Sequence, residues 1–375
     1  MQKNNKSDYF VSISLLLTLI TILYVSAYSQ TEYQKAIEAS RKIIAGTMAK
    51  QNIPGLSFAV AVNGKIIWSE GFGFADLENQ LRVTPLTRFR IASISKPFTA
   101  AAMARLFEQG RLDPDAPVQR YVPNFPRKEH DITARQFVGH LAGIRHYRRD
   151  ADEAKDEFFN RKDYYPSVAE GLKVFQNDPL DFPPGTRFGY SSYGYTLLSA
   201  VIEGASGQNF LTVMQKEVFE TLEMPNSAAD DNRKIIPNRT RFYSLDSNKK
   251  VINGPYIDRS YSWAGGGFLS TSEDLVRFGS AHLQTGFLKE ETLKQMFSSQ
   301  KTSDGKETGT GWGWRINKDK EGRLYYFHPG ENVGGRSYLL MYPEKKVVVA
   351  MLHNLTGASL ASIIDISKLF VAEKP

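Results

Sequence analysis

A serine and a lysine three positions apart are the two side chains of this sequence best placed to do chemistry together. They are Ser93 and Lys96, within the run RIASISKPFT at residues 90–99. If a helix begins at or just before Ser93, both side chains lie on one face of its first turn. A neutral lysine amine can accept the proton of a serine hydroxyl and so make its oxygen nucleophilic. The spacing therefore predicts covalent catalysis at Ser93, with Lys96 as a candidate base.

A lysine amine is normally protonated, so this chemistry needs a site that keeps it neutral. Lowering a lysine pKa from about 10.4 to near 7 corresponds to about 4 kcal/mol, which burial and the positive end of a helix can supply together. The same helix end offers backbone N–H groups to the anion that forms when Ser93 attacks a carbonyl. The alternative interpretation is that Ser93 or Ser95 caps a helix and Lys96 is a solvated surface residue.

The elements that must position this pair follow from the hydrophobic pattern. Helices are predicted at 32–50, 93–110, 132–140, 167–175, 210–221 and 363–372. Two more are predicted, one that follows a turn near residue 190 and one that begins at about residue 271. Strands are predicted at 56–62, 65–71, 312–316, 324–327, 337–341 and 346–352, with Asn63-Gly64 as a hairpin turn. Gly265, Gly266 and Gly267 allow a close approach of the backbone.

Strands at both ends of the chain around a helical middle predict an α/β (α+β) fold. Its antiparallel sheet is built from N- and C-terminal strands flanked by helices, with an inserted, mainly helical lobe. The sheet lobe is expected at about 30–92 and 263–375, and the helical lobe at about 93–262. Together they form one catalytic domain over 30–375, and the groove between the lobes is the expected site.

Residues 1–29 are predicted to be an export segment. Lys3 and Lys6 precede an apolar run at 10–25, and small residues follow at 27–29. The alternative is a retained N-terminal anchor, since the uncharged stretch 9–31 is long enough for membrane association. Either interpretation places the catalytic part outside the cytoplasm, in the periplasm or another extracytoplasmic space.

Composition excludes several classes of site. The chain has 375 residues, a net charge of +7 and no cysteine, so disulfides, thiolate metal sites and cysteine nucleophiles are ruled out. Its basic residues are mixed with acidic ones, and no nucleic-acid-binding motif accompanies them. The six histidines lack metal-ligand spacing, and a phosphate-binding loop and a Gly-x-Ser-x-Gly elbow are also missing. No metal, cofactor or nucleic acid is therefore expected, and the oligomeric state stays open.

Three separated motifs carry a family resemblance. They are SISK at 93–96, YSS at 190–192 and HPG at 328–330. Their order resembles the serine beta-lactamase and penicillin-binding-protein superfamily, in its class C-like branch, whose motifs are Ser-x-x-Lys, Tyr-x-Asn and Lys-Thr-Gly or His-x-Gly. The likeness covers about 32–372, and the runs HLAGIRHY at 140–147 and YSSYGYTLL at 190–198 look especially like the mitochondrial serine beta-lactamase-like proteins and their bacterial relatives.

The resemblance implies a beta-lactamase/transpeptidase-like fold and a role for each matching residue. Ser93 would be the acylated nucleophile, Lys96 its proton partner, and Tyr190 would share the acid and base work near the leaving group. Which of Lys96 and Tyr190 is the first base stays open. His328 would lie on an edge strand facing Ser93, where it could bind a substrate carboxylate or support Tyr190.

The remaining implied roles concern binding of the substrate carbonyl. The backbone N–H groups of Ser93 and Glu331 would form the oxyanion hole, with Gly330 in the same motif. Ser192 replaces the family asparagine and His328 the family lysine, so an amide and a permanent charge are missing.

These two departures favour a small peptide or ester substrate, with weak or no beta-lactamase activity. The predicted function is an exported serine hydrolase, a peptidase or esterase, that works through a Ser93 acyl-enzyme. The alternative is a catalytically idle penicillin-binding-like protein that binds envelope peptides or serves as a scaffold. The shape of the pocket is expected to depend on residues 145–182 and 227–262.

Overall fold

The computed structural model describes residues 33–152 and 155–372 of the chain. Within the described residues, eight helices lie in the middle of the sequence and two more lie near its ends. They are α1 Gln34–Gln51, α2 Ser95–Glu108, α3 Ala134–Val138, α4 Val168–Leu172, α5 Ser192–Ser206, α6 Phe210–Met214, α7 Trp263–Gly266, α8 Ser272–Ala281, α9 Glu290–Met296 and α10 Ser362–Ala372. Short 3-10 turns lie at Ala92–Ile94, Val118–Arg120 and Ser260–Ser262, and a π-helical turn extends α6 over Gln215–Glu220.

A seven-stranded antiparallel sheet joins the two ends of the chain. The strands are β1 Gly55–Val62, β2 Lys65–Asp76, β3 Leu81–Arg82, β4 Phe89–Arg90, β5 Ala228–Ala229, β6 Tyr243–Leu245, β7 Val251–Asn253, β8 Phe268–Ser270, β9 Arg315–Lys318, β10 Leu324–Asn332, β11 Gly335–Tyr342 and β12 Val347–His353. The large sheet has the order β3-β2-β1-β12-β11-β10-β9, with β1 beside β12. Strands β4, β8 and β5 form a second small sheet, and β6 pairs with β7.

Both faces of the large sheet are buried, because every residue of the central strand β12 is buried. Successive side chains of β12 point to opposite faces of the sheet, because the side-chain period of a strand is two residues. They therefore pack in two different cores. Val347, Val349 and Met351 pack with α1 and α10 on one face. Val348 and Ala350 pack on the other face with α2, α5 and α8, which lie on the side of Ser93.

The predicted hairpin is present between β1 and β2. Asn63 and Gly64 connect the strands and have φ of 51° and 79°. Two successive positive φ angles define the type I′ turn that matches the twist of a hairpin, and this explains why Asn-Gly stands at this point.

Several element boundaries differ from the sequence-based prediction. Strand β10 continues through Pro329 to Asn332 instead of ending at residue 327. Pro329 is tolerated because β9 pairs with β10 only as far as Phe327, and no other described strand pairs with that edge of β10 beyond this point. The strand predicted at 312–316 is shifted to Arg315–Lys318, since Gly313 adopts φ 77° and turns the chain. Helix α9 was not predicted.

Two expectations for the ends and lobes of the chain remain predictions. The export segment at 1–29 lies outside the described residues, and the division of 30–375 into two lobes is likewise untested. Within the described ranges, no helix combines the length and apolar character needed to cross a bilayer.

Candidate active site

Ser93 lies in the 3-10 turn Ala92–Ile94 that leads into helix α2. Ala92, immediately before it, has φ 48°, a left-handed conformation that costs a non-glycine residue about 1–3 kcal/mol. The turn is held on both sides, because the Ile91 N–H donates to the Phe268 carbonyl (3.1 Å) and the Ser337 hydroxyl donates to the Ile91 carbonyl (2.6 Å). Strands β8 and β11 therefore fix the direction of the Ser93 side chain.

Lys96 lies in the first turn of α2 and is completely buried. Its Nζ is 3.1 Å from Ser93 Oγ, 3.0 Å from Ser192 Oγ and 2.5 Å from the Gly265 carbonyl oxygen. Burial holds the pKa of Lys96 well below its usual value, and the positive charges of Arg315 and Arg259 lower it further. The amine is therefore predisposed to be neutral, with a lone pair available to Ser93.

Tyr190 also contacts Ser93. Its phenol donates a hydrogen bond of 2.9 Å to Ser93 Oγ. Burial raises the pKa of Tyr190 above its usual value, so the phenol is protonated in the resting site. Because Tyr190 supplies the proton in this hydrogen bond, the hydroxyl proton of Ser93 is free to point to Lys96.

Two histidines that sequence reasoning did not assign to the site hold the segment around Tyr190. His140 Nδ1 accepts a hydrogen bond from the Ser191 N–H (3.1 Å), and His146 Nδ1 accepts one from the Ser192 N–H (3.2 Å). Their ring centroids lie 4.3 Å and 5.3 Å from the ring of Tyr190. The only signal in the sequence was their place in the run HLAGIRHY.

Both of these histidines must be neutral to accept hydrogen bonds through Nδ1. Burial lowers the pKa of His146 to about 3 and holds the pKa of His140 well below its usual value. The two rings thus act as fixed acceptors for consecutive backbone N–H groups at the start of α5.

The glycines at 265–267 allow the close approach that the sequence predicted. A Cβ atom at Gly265 would lie 2.8 Å from Ser262 Oγ and 2.9 Å from the Ser192 carbonyl oxygen. Without it, α7 packs directly against the start of α5, and the Gly265 carbonyl reaches Lys96. Ser192, the first residue of α5, is buried at this junction.

His328 is buried in β10, and only 2% of its surface is exposed. Its Nδ1 donates to the Pro329 carbonyl (2.7 Å), and its ring centroid lies 6.5 Å from that of Tyr190. Burial holds the pKa of His328 well below its usual value, which favours the neutral ring. The two roles predicted for His328, contact with a substrate carboxylate and support of Tyr190, both stay predictions.

Gly330 brings β10 against the nucleophile turn. A Cβ atom at this position would lie 2.2 Å from both the Ile91 carbonyl oxygen and Ser337 Oγ, and 3.1 Å from Ser93 N. Glycine is therefore required by the packing. Ser93, Gly330 and Glu331 all line the same cavity, which is the arrangement that an oxyanion hole of Ser93 and Glu331 N–H groups would need. That assignment stays a prediction.

The cavity in front of Ser93 has a volume of about 230 Å³. One wall comes from the segment after α3, through His146, Tyr147, Arg149 and Phe158, which lies within the predicted rim. The other wall is made by 329–332 of β10. Four arginines line the cavity, against one acidic residue, Glu331; they are Arg149, Arg259, Arg315 and Arg336. The site is consequently electropositive.

A buried ion pair supports the cavity floor. Arg90 Nε donates to Asp230 Oδ2 (2.6 Å), and its Nη1 donates to the Val333 carbonyl (2.9 Å) in the turn between β10 and β11. The pair thereby ties the strand before Ser93 to the hairpin that carries Gly330. Across 33–152 and 155–372, no cluster of three or more side chains suited to metal binding is found.

Sequence comparisons with known proteins match most of the chain. The family model described as Beta-lactamase matches residues 41–369. The mitochondrial serine beta-lactamase-like protein LACTB of Homo sapiens is 36% identical, over 84% of this chain and 73% of its own length.

Solved structures give the same picture of the fold. The octameric penicillin-binding protein homologue from Pyrococcus abyssi has a TM-score of 0.77 at 26% identity, covering 90% of this chain and 77% of that one. A class C beta-lactamase has a TM-score of 0.73 at 20% identity, covering 91% and 97% of the two chains, which is a likeness of fold alone.

Proposed function

The chain belongs to the beta-lactamase family, whose members are serine hydrolases, and on that premise we propose that it hydrolyses a peptide or an ester through an acyl-enzyme at Ser93. The resemblance inferred from the motifs and the mixed α/β fold class are confirmed by these matches and by the structural neighbours. The choice of substrate and the roles of individual residues are the proposal.

One observation carries it: Ser93 Oγ lies 2.9 Å from the phenol oxygen of Tyr190 and 3.1 Å from the buried amine of Lys96. In the acylation step, the Ser93 proton passes to Lys96 Nζ while Ser93 Oγ forms a bond to the substrate carbonyl carbon. The oxyanion is stabilised by the N–H groups of Ser93 and Glu331. The carbonyl then re-forms, the bond to the leaving group breaks, and Tyr190 donates a proton to that group.

Deacylation uses the same groups, with a water molecule as the nucleophile and Ser93 as the leaving group. A water molecule gives a proton to the Lys96–Tyr190 pair, and its oxygen attacks the ester carbonyl of the acyl-enzyme. The bond to Ser93 Oγ breaks and Ser93 recovers a proton, so the enzyme returns to its starting state. Lys96 is the better first base of the two, because Tyr190 is protonated and already donates to Ser93.

Two features support a peptide or ester over a beta-lactam. Ser192 offers one hydroxyl, which is engaged with Lys96 Nζ, where a family asparagine would offer an amide to the substrate. His328 is neutral and buried, so it does not supply the charge that a lysine would have at this position. We therefore expect slow or absent hydrolysis of beta-lactam rings.

Labelling with a fluorophosphonate tests the proposal. Intact protein should gain one phosphonyl group, peptide mapping should place it on Ser93, and Ser93→Ala should remove it. Ser95→Ala is the matched control, because Ser95 lies two positions away, is buried, and has its hydroxyl engaged with the Phe268 N–H instead of the cavity. A folded wild-type protein that stays unlabelled between pH 6 and 9 would favour the idle binding protein instead.

The location proposed for the catalytic domain is outside the cytoplasm, on the strength of residues 1–29. Cell fractionation of the full chain, followed by N-terminal sequencing of the recovered protein, tests export and cleavage together. Recovery of the uncleaved chain in the cytoplasmic fraction would contradict the proposal.

A further inference from the structure

A second cavity lies between helix α6 with its π-helical extension and the segment 234–237. Its volume is about 440 Å³, which is within the range of small-molecule sites. Among the described residues, none lines both this second cavity and the cavity in front of Ser93. The proposed catalysis therefore leaves the second cavity without a role.

Apolar side chains form most of the wall of the second cavity. The larger ones are Leu211, Phe219, Ile235, Ile236, Pro237 and Phe268. Phe219 and Phe268 are buried and form its floor, whereas Ile235 is completely exposed and lies at its mouth. An apolar ligand that packs against these side chains removes their surface from water, and this favours binding.

The charged residues of the second cavity are mainly basic. Arg88, Lys216 and Lys234 stand against one acidic residue, Glu220. Lys216 donates to the Gln208 side-chain oxygen (3.1 Å), and within 33–152 and 155–372 none of the three basic residues forms an ion pair with a carboxylate. An apolar cavity with a basic rim is complementary to a ligand that has an apolar chain and an anionic head.

Arg88 is the basic residue of this cavity that the fold holds in place. It is half-buried, and its Nη2 donates two long hydrogen bonds of 3.3 Å, to the Pro225 carbonyl and to the Asn226 side-chain oxygen. Its Nε is buried and has no acceptor among the described residues. A buried donor without an acceptor is costly, and a ligand carboxylate would supply an acceptor to this guanidinium.

We propose that the second cavity binds a medium-chain fatty acid, with its carboxylate on the Arg88 guanidinium and its alkyl chain against Phe219 and Phe268. A carboxylate matches the planar fork of a guanidinium. Lys216 and Lys234 are exposed, so they add attraction without fixing a direction. The site is independent of the proposed function, because binding there requires no step at Ser93.

Titration calorimetry of the full chain with decanoate, decanamide and octanoate tests the site. Decanoate should bind about tenfold or more tightly than decanamide, which has nearly the same shape but no charge. Octanoate should bind about tenfold more weakly than decanoate, because its shorter chain buries less apolar surface. Equal affinities for decanoate and decanamide would overturn the assignment.

Two variants change the second cavity in different ways. Arg88→Gln removes the charge, so the Kd values for decanoate and decanamide should come within about twofold of each other. Thr212→Trp keeps Arg88 but fills part of the cavity from an exposed position on α6, so both ligands should bind about tenfold or more weakly. Arg111→Gln is the matched control and should bind decanoate as wild type does, because Arg111 also donates to a backbone carbonyl, that of Ser206, without lining the second cavity.

Variants of the cavity in front of Ser93 show whether the fatty acid binds there instead. Ser93→Ala and Arg315→Gln should both leave the Kd for decanoate unchanged. A Kd that rises in Arg315→Gln but not in Arg88→Gln would place the carboxylate in front of Ser93 and overturn the assignment. Failed fluorophosphonate labelling with intact decanoate binding would refute only the hydrolase.

Sedimentation of the same proteins tests the other occupant of an apolar cavity, a second copy of the chain. Wild-type protein and Thr212→Trp should sediment alike, with and without decanoate. A wild-type dimer that binds no decanoate, and that Thr212→Trp converts to a monomer, would show that the second cavity is an interface between copies and would overturn the assignment.

Discussion

Replacing Lys96 by methionine is the most direct perturbation of the proposed base. Methionine nearly keeps the volume of the side chain but removes the amine that lies 3.1 Å from Ser93 Oγ. General-base catalysis contributes about 10²–10⁴-fold to a rate, so the acylation rate of Lys96→Met should fall by that factor. The hydrogen bonds to the Gly265 carbonyl and Ser192 Oγ are lost as well.

The cost in stability should be smaller than the loss of activity. Leaving the Gly265 carbonyl without a donor costs about 1–3 kcal/mol. Removing the buried amine offsets part of this, because the amine is costly to bury and its contacts among the described residues are neutral oxygen atoms. A decrease in unfolding free energy of about 2 kcal/mol or less is therefore expected, and the protein should stay folded at 25 °C.

The pH dependence gives a second signature of the same group. The pKa of Lys96 in the folded protein lies below its value in the unfolded chain, so between these two values the unfolded chain binds more protons. The contribution of Lys96 to stability therefore rises with pH across that window, and Lys96→Met should remove this slope. The rate of acylation in wild-type protein should likewise rise with pH through the folded pKa.

The assays are stopped-flow acylation by 4-nitrophenyl acetate and urea unfolding at several pH values. Lys128→Met is the matched control, because Lys128 also donates to backbone carbonyls, those of Gln176 and Asp178, but does not line the cavity. An acylation rate in Lys96→Met within about threefold of wild type would refute the assignment of Lys96 as the base.

Three further predictions follow from the same geometry. Tyr190→Phe removes the donor to Ser93 Oγ, so acylation should slow by about 10²-fold with an unchanged Tm; a normal rate would exclude Tyr190 from the chemistry. Gly330→Ala places a Cβ atom 2.2 Å from the Ile91 carbonyl oxygen, so the rate at which fluorophosphonate labels Ser93 and the Tm should both fall. A variant as stable and as reactive as wild type would contradict the packing of Gly330 against Ile91. Burial gives His146 a pKa of about 3 in the folded protein, below its value of about 6.5 in an unfolded chain. Its contribution to stability is therefore present above pH 6.5 and is lost as pH falls toward 3. His146→Phe should flatten the unfolding free energy across that pH range, and an unchanged slope would show that His146 is not the acceptor of the Ser192 N–H.

The parts of the site that lie close together in sequence could be predicted from it. The helical turn joining Ser93 to Lys96 is local, and it is present with Lys96 in the first turn of α2. The hairpin at Asn63-Gly64 depends only on residues that tolerate positive φ, and it is also present. Tyr190 was found through its motif, since nothing in its local sequence indicates a contact with a serine so distant along the chain.

The supporting residues could not be predicted, because their roles arise only from tertiary packing. His140 and His146 gain their function from accepting the N–H groups of Ser191 and Ser192, a pairing that no periodicity encodes. Arg315 lines the cavity in front of Ser93 at the start of β9, and this start was not predicted because Gly313 turns the chain just before it. The extension of β10 was missed for a related reason. A proline argues against a strand unless it is known that no further strand pairs with that edge, and the sequence does not give the order of the strands.

Helices α1 and α10 lie together on the face of the sheet opposite Ser93, where the rings of Tyr33 and Phe370 are 6.0 Å apart. Both ends of the described domain therefore leave it on its rear side. A surface, fusion partner or tether joined at either end would therefore be attached on the face of the sheet opposite Ser93. Immobilising the protein through its termini should consequently leave Ser93 as reactive as it is in free solution.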